Sequence, residues 1–222
     1  MLANAVPLYR IRIRAPKLEL RLALPDELPR LGTAAAAGIH ASDERPYLAR
    51  PGSTSWVLLE PRERARAVVL QQFEAIGAWR PDKWVLPLGV FVDDEPVGVQ
   101  VVYAEHFALT REVASSSWLT ITRQRQGLGT QMRQAALAFA FDALHARTAL
   151  TRSFEDNRAA CRVSEKIGYV SDGSEIAARE DGRAHLARRF RISADQWRSG
   201  PRPPVAVTGL DRALPYFLGS AP

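Results

Sequence analysis

The sequence SWLTITRQRQGLGT, residues 117–130, decides the fold of this chain. Its first five residues have the β-branched and aromatic character of a strand, and apolar residues recur at helical spacing after it. Those apolar positions are Leu128, Met132, Ala135, Ala136, Phe139 and Ala143. Between the two elements, Gly127 and Gly129 lack a Cβ and leave the main chain open to close approach by a ligand. Because the first turn of a helix presents unpaired N–H groups and the positive end of its dipole, the loop predicts an anion site.

Three phosphate-binding loops have related glycine patterns. A Walker loop requires Lys and then Ser or Thr after its last glycine, but Thr130 and Gln131 follow Gly129. A dinucleotide fingerprint requires a third glycine, which the residues directly after Gly129 do not provide. The third pattern is a pyrophosphate loop with Gln or Arg, two residues, Gly, one residue, and Gly or Ala. Gln124, Gly127 and Gly129 fill its fixed positions.

This third pattern resembles the coenzyme loop of the GNAT superfamily of N-acetyltransferases. A second segment, residues 155–169, is similar to another family signature, Asn-x-x-Ser/Ala followed by a helix that ends in Glu-Lys-Leu-Gly-Phe. Ahead of the loop, Trp118 and Leu119 resemble the pair of Trp or Tyr and a hydrophobic residue in the RimJ/RimL branch, whose members acetylate ribosomal-protein N-termini. The resemblance is close over residues 115–169 and looser over residues 18–197.

The resemblance implies an α+β fold of three layers, with helices flanking a mixed, mostly antiparallel sheet of about seven strands. Two parallel strands, which end at Ile121 and Phe154, are expected to splay into a V-shaped cleft. Sequence periodicity predicts strands at residues 17–22, 84–92, 96–103, 115–121, 148–154, 174–179 and 183–192. It predicts helices at residues 25–38, 61–79, 128–147 and 157–168, and residues 1–16 as an irregular or edge segment. The helix at 61–79 is expected to bury Ala65, Val68, Val69, Phe73 and Ile76.

Length and composition indicate one globular domain, and the cytoplasm is its expected location. The 222 residues are 46% apolar and 24% charged, and no apolar run reaches membrane-spanning length. One cysteine and four histidines predict neither a disulfide nor a metal site. The net charge of +6 is spread along the chain without a nucleic-acid-binding motif, so a basic coenzyme cleft explains it more simply.

The domain is expected to span residues 1–198, followed by a Pro-rich tail at residues 199–222. Gly200, Pro201, Pro203 and Pro204 interrupt regular structure at the start of this tail. Apolar residues near its end must dock somewhere. The sequence leaves open whether they dock on the same chain or on a second copy in a homodimer.

The resemblance implies that acetyl-CoA, or coenzyme A, binds between the loop and the cleft. Backbone groups of Leu119 and Ile121 are expected to pair with the peptide-like pantetheine arm, as an added strand would. Asn157 is expected to reach the pantetheine portion, although Asn at this position also suits a helix cap. Either Arg123 or Arg125 is a candidate for an added phosphate contact. The residues expected to hold the pyrophosphate are Gln124, Arg125, Gln126, Gly127, Leu128, Gly129 and Thr130.

The implied reaction is direct transfer of acetyl from acetyl-CoA to a primary amine, on a protein N-terminus, a lysine or a small molecule. The Leu119 N–H is the candidate oxyanion donor, and Ser164 is the candidate partner of the departing sulfur. Glu105 is the favoured base, with His106, Glu112 and Glu180 as alternatives. Residues 39–55 are expected to form a loop, and the resemblance implies that this segment covers the acceptor site.

Two further readings stay open at this point. One is a coenzyme-binding module that has lost catalysis, and the other is an acyltransferase that uses succinyl or longer acyl groups. Thiol release from acetyl-CoA on a panel of amines, measured beside coenzyme binding, distinguishes an active transferase from the binding module.

Overall fold

A mixed sheet forms the middle of the fold. In the computed structural model, which describes residues 2–40, 56–178 and 183–219, its strand order is β7-β8-β6-β5-β4-β3-β2-β1-β9. The strands are β1 (Arg12–Ala15), β2 (Leu18–Arg21), β3 (Lys83–Val92), β4 (Glu95–Glu105), β5 (Glu112–Leu119), β6 (Thr148–Phe154), β7 (Val170–Ala178), β8 (Ala184–Ser193) and β9 (Ala206–Thr208). Only β5 and β6 are parallel neighbours among these strands.

Helices cover both faces of this sheet. They are α1 (Leu2–Ala5), α2 (Leu28–Ala36), α3 (Pro61–Gly77), α4 (Phe107–Thr110), α5 (Leu128–Ala138), α6 (Arg158–Ile167), α7 (Ala194–Ser199) and α8 (Leu214–Leu218). A π-helical turn, Phe139–Ala143, extends α5. One apolar core joins α5 to the sheet, and a second core joins α2 and α3 to the other face. The predicted three-layer α+β architecture is therefore confirmed.

The sheet has nine strands where about seven were expected. Residues 12–15, predicted as an irregular or edge segment, form β1 between β2 and β9. Ile11 and Ile13 are completely buried there. The tail strand β9 covers the edge that β1 would otherwise expose, which a local reading of residues 1–16 could not show.

Two other local predictions differ from the structure. The strand expected at residues 115–121 ends at Leu119, because Ile121–Arg123 forms a 3-10 turn. In α3, Val68 is buried as predicted, but Phe73 is 51% exposed, so the predicted apolar face is wrong at that residue.

The described part of the tail packs on its own chain. Residues Ala206–Thr208 pair with Arg12–Arg14, and Phe217 is buried beside aromatic residues of the main core. The division into a domain at residues 1–198 and a tail at 199–222 stays a prediction. Across the three described ranges, no helix is both long and apolar enough to cross a membrane.

Candidate active site

The parallel strands β5 and β6 diverge, as predicted. They pair only at Glu112 with Thr148, Val113 with Ala149 and Ala114 with Leu150. Beyond this point β5 continues to Leu119 and β6 to Phe154 without pairing to each other. At the point of divergence, the Thr151 hydroxyl donates to the Ser115 carbonyl over 3.1 Å. The result is a gap between two strands whose facing backbone groups are not used by the sheet.

Alternate residues of β5 turn their backbone groups toward this gap. The Thr120 N–H donates to the Val97 carbonyl over 2.8 Å, so even-numbered residues of β5 bond to β4. Because the β4–β5 register has no shift, Leu119 and Ser117 direct their N–H and C=O groups away from β4. The Ser115 carbonyl, which has the same parity, accordingly accepts from Thr151 across the gap.

Ile121 does not share this orientation toward the gap. It lies outside β5, and its N–H donates to the Gly38 carbonyl over 2.9 Å. Ser117 is therefore the second residue of β5 whose backbone groups face the gap, and coenzyme binding by Ile121 stays a prediction. Every second residue of a strand faces the same neighbour, so counting back from Leu119 indicates Ser117. The sequence pattern missed this residue because it placed the end of the strand two residues too late.

The glycine loop has the open geometry that an anion needs. Gly127 has a φ of +80°, and a Cβ built on it would meet no atom within 4 Å. A Cβ on Gly129 would meet only Leu119 Cδ1, at 4.0 Å. The first helical bond of α5 runs from the Gln131 N–H to the Gly127 carbonyl, so the N–H groups of Leu128, Gly129 and Thr130 have no partner within the helix. These main-chain donors fit a diphosphate.

Two glutamines of the loop hold its shape. Gln124 Nε2 donates to the carbonyls of Ile39, over 2.6 Å, and Leu119, over 2.9 Å. Gln126 Nε2 donates to the Thr122 carbonyl over 3.1 Å. Because these amide groups bond to protein carbonyls, both side chains position the loop, and their expected part in holding the pyrophosphate stays a prediction.

Two arginines in the loop offer positive charge. Arg125 is exposed and has a left-handed backbone, with φ of 59°. Within the described ranges, neither Arg123 nor Arg125 forms an ion pair. Both guanidinium groups can therefore turn toward a phosphate.

The signature helix α6 is capped at both ends, as its sequence predicts. Asn157 Oδ1 accepts from the Ala160 N–H over 3.1 Å, and Gly168 ends the helix with a φ of +102°. The structure thus shows a capping role for Asn157. Its expected contact with the pantetheine portion stays a prediction.

Ser164 is completely buried and bonds to an arginine that the sequence reading missed. Arg133 Nη1 donates to Ser164 Oγ over 2.7 Å, and this hydroxyl donates to the Ala160 carbonyl over 3.0 Å. A signal was present, because Arg133 interrupts the apolar run of α5. Cys161, one turn before Ser164, is buried, and burial raises the pKa of its thiol, which suits packing rather than nucleophilic chemistry.

Glu105 is not brought to the gap. It lies seven residues from Gly98, the partner of Leu119, so about 23 Å of strand separates the two positions. Its carboxylate is exposed and lies 2.5 Å from Lys83 Nζ, whose hydrogen bond lowers the pKa of Glu105. The base role stays a prediction that these contacts do not support.

The alternative bases are no better placed within the described structure. Glu112 Oε2 lies 3.0 Å from Arg191 Nη1 at the closed end of the gap. His106 has a left-handed backbone and precedes α4, next to Glu105. Glu180 and residues 41–55 of the predicted acceptor loop lie outside the described residues.

The close approach of β4 to β5 depends on Gly98. A Cβ there would lie 2.2 Å from the Trp118 carbonyl oxygen and 3.0 Å from Leu119 Cα. We expect Gly98→Ala to lower the free energy of unfolding by about 1–3 kcal/mol, because the backbone of β5 must move. Coenzyme affinity, measured by titration calorimetry, should fall as well, because Leu119 is displaced. Gly77→Ala is the control, since a Cβ there meets nothing within 4 Å. Wild-type affinity in a destabilised Gly98→Ala protein would exclude Leu119 from the coenzyme site.

The described residues contain no group of three or more His, Cys, Asp or Glu side chains that could hold a metal ion.

Comparison with known proteins identifies this arrangement. The model of the Acetyltransferase (GNAT) domain matches residues 18–170. Among similar solved structures, Mycobacterium smegmatis RimJ in complex with CoA-disulfide shares 17% identity, with a TM-score of 0.66 over 83% of this chain and 87% of that chain.

Two further structures have the same fold. RimL, a ribosomal alpha-N-protein acetyltransferase in complex with coenzyme A, shares 18% identity, with a TM-score of 0.63 over 82% of this chain and 97% of that chain. A GNAT-family acetyltransferase from Bacillus anthracis shares 13% identity, with a TM-score of 0.63 over 83% and 99% of the two chains. The family match confirms the resemblance inferred from the loop and the signature helix. The chain belongs to the GNAT family of acetyl-CoA-dependent N-acetyltransferases.

Proposed function

We propose that this protein transfers an acetyl group from acetyl-CoA to a primary amine, on a protein N-terminus, a lysine or a small molecule. The observation that carries the proposal is the open loop at Gly127 and Gly129, which meets the unpaired edge of β5 at Leu119. A diphosphate bound to the first turn of α5 would direct the attached arm into the gap. RimL, an alpha-N-protein acetyltransferase with which the chain shares its fold, supports an N-terminal amine as one acceptor class.

The strand β5 supplies two binding positions of different depth. Leu119 lies next to the loop, and Ser117 lies closer to the point where β5 and β6 meet. An arm that enters from the loop reaches Leu119 first and Ser117 second. We therefore assign the Leu119 N–H to the pantetheine arm and the Ser117 N–H to the oxyanion. The sequence predicts the oxyanion role for Leu119, so the proposed donor lies two residues further from the loop.

Acetyl-CoA supplies the acetyl group as a thioester. The neutral amine nitrogen forms a bond to the acetyl carbon, the C–S bond breaks, the sulfur leaves with its electron pair, and one amine proton passes to solvent. A main-chain N–H at Ser117 stabilises the oxyanion, because it is already oriented by the β4–β5 ladder. Ser164 is the side chain that we place beside the leaving sulfur.

Acetyl transfer is tested with purified protein, acetyl-CoA and a panel of amines that contains N-terminal peptides, lysine peptides and small amines. We expect coenzyme release that depends on one acceptor class, with the acetylated amine identified by mass spectrometry. Tight coenzyme binding without turnover on any acceptor would support the binding module instead. Turnover with succinyl-CoA but not acetyl-CoA would support the longer-acyl alternative.

A further inference from the structure

Arg133 carries a buried positive charge without a carboxylate partner. It is 6% exposed, and no ion pair to it exists among residues 2–40, 56–178 and 183–219. Its only side-chain hydrogen bond in those ranges is from Nη1 to Ser164 Oγ, and its Nε has no partner. An unpaired buried charge is costly, and burial lowers the pKa of the Arg133 guanidinium. A polar group held at such a cost suggests a functional role.

The groups around Arg133 are neutral and lie near the closed end of the gap, where β5 and β6 separate. Tyr169 and Cys161 are the titratable groups that face it, and burial raises the pKa of both, so neither is an anion near neutral pH. The hydroxyls of Ser115 and Tyr169 are buried without a hydrogen-bond partner of ordinary geometry. Ser115 is the first residue of β5 beyond its last pair with β6. Arg133 therefore lies beside Tyr169, and Tyr169 lies beside Ser115 at the closed end of the gap, which is where we place the leaving sulfur.

We propose that Arg133 is the positioning residue for the leaving thiolate and acts through Ser164. The bond from Arg133 occupies Ser164 Oγ as an acceptor and holds it against α5, while the hydroxyl hydrogen points to the Ala160 carbonyl. That carbonyl lies one turn back in α6 and accepts the helical bond as well, so the hydroxyl hydrogen can rotate to a sulfur anion without leaving Ala160 unpaired. Donation by a cation also polarises the hydroxyl and makes it a stronger donor.

This proposal rests on the proposed acetyl transfer. When the C–S bond breaks, the sulfur takes both electrons and becomes a thiolate, and the proton of the amine leaves to solvent. The nearby guanidinium lowers the free energy of the thiolate relative to the thiol. The same effect must lower the pKa of the thiol of bound coenzyme A, and this quantity can be measured without an acceptor.

The experiment is a pH titration of the coenzyme A complex, followed by the ultraviolet absorbance of the thiolate. The complex with desulfo-coenzyme A serves as the reference, because it subtracts the signals of Cys161 and the tyrosines. We expect the bound thiol in the wild type to have a pKa below that of free coenzyme A. Arg133→Met should raise it by about one unit, and Arg133→Lys should restore part of the difference.

Arg162→Met is the matched control, since it removes the same charge from the exposed face of α6. It should leave the bound thiol pKa unchanged. With the amine that proves active, Arg133→Met should lower kcat about 100-fold with little change in KM, because the charge acts after binding.

An unchanged thiol pKa in Arg133→Met would overturn the proposal. If that variant does not fold, Ser164→Ala gives the second test, because it removes the hydroxyl by which Arg133 is proposed to position the thiolate. A thiol pKa in Ser164→Ala equal to the wild type would equally reject the role. Absence of coenzyme binding in the wild type would instead refute the proposed function, so the two failures are distinguishable.

Discussion

Replacement of Gly129 by Glu is expected to lower the affinity for coenzyme A about 100-fold while the fold keeps its stability. A Cβ at this position meets only Leu119 Cδ1, at 4.0 Å, so the protein itself accommodates a side chain. A carboxylate in the first turn of α5 is favourable toward the helix dipole, by about 0.3–1 kcal/mol. The same carboxylate would occupy the N–H groups of the turn and repel a diphosphate. Coenzyme affinity should therefore fall while the free energy of unfolding is kept or rises slightly.

The measurement pairs titration calorimetry of coenzyme A with thermal unfolding of the free protein. Gly129→Gln is the control for bulk, since it has the same shape without the charge, and its loss of affinity should be clearly smaller. Inorganic pyrophosphate should compete with coenzyme A in the wild type and not in Gly129→Glu. If Gly129→Glu bound coenzyme A with wild-type affinity, the first turn of α5 would not be part of the coenzyme site.

Phe217→Ala is expected to lower the free energy of unfolding by about 3–5 kcal/mol, the largest stability effect that we predict. Phe217 is completely buried, and its ring packs edge-on against three aromatic rings. The distances between ring centroids are 5.0 Å to Trp84, 5.3 Å to Trp79 and 5.9 Å to Phe139. Removal of the ring deletes these contacts and leaves a cavity. Trp79 Nε1 also donates to the Tyr216 carbonyl over 3.1 Å, which ties the same turn of α8 to the domain.

Urea unfolding followed by tryptophan fluorescence measures this loss. Leu109→Ala is the control, because Leu109 is 83% exposed, and it should change stability by less than about 0.5 kcal/mol. The titration is repeated at two protein concentrations. If the tail docks within its own chain, the midpoint is independent of concentration, whereas docking on a second copy makes it concentration-dependent. Equal stability of Phe217→Ala and the wild type would show that α8 is not part of the folded core.

Short sequence signals predicted the elements at the centre of this fold. The strand at residues 148–154, the Asn157 cap and the Gly168 stop each follow from signals within a few residues, and the structure has them at the predicted positions. The glycine loop was also predicted from the sequence. Gly127 adopts a left-handed conformation, which glycine permits at little cost.

The sequence by itself therefore determined the family, the three-layer fold and the position of the glycine loop before α5. Tertiary structure alone decided that β9 closes the sheet beside β1, that Glu105 meets Lys83, and that Arg133 is buried against Ser164. These outcomes depend on pairs that are distant in the chain, 31 residues apart for Arg133 and Ser164. No local propensity encodes such pairs, because the free energy of a buried charge depends on which groups the packing of separate helices and strands brings to it.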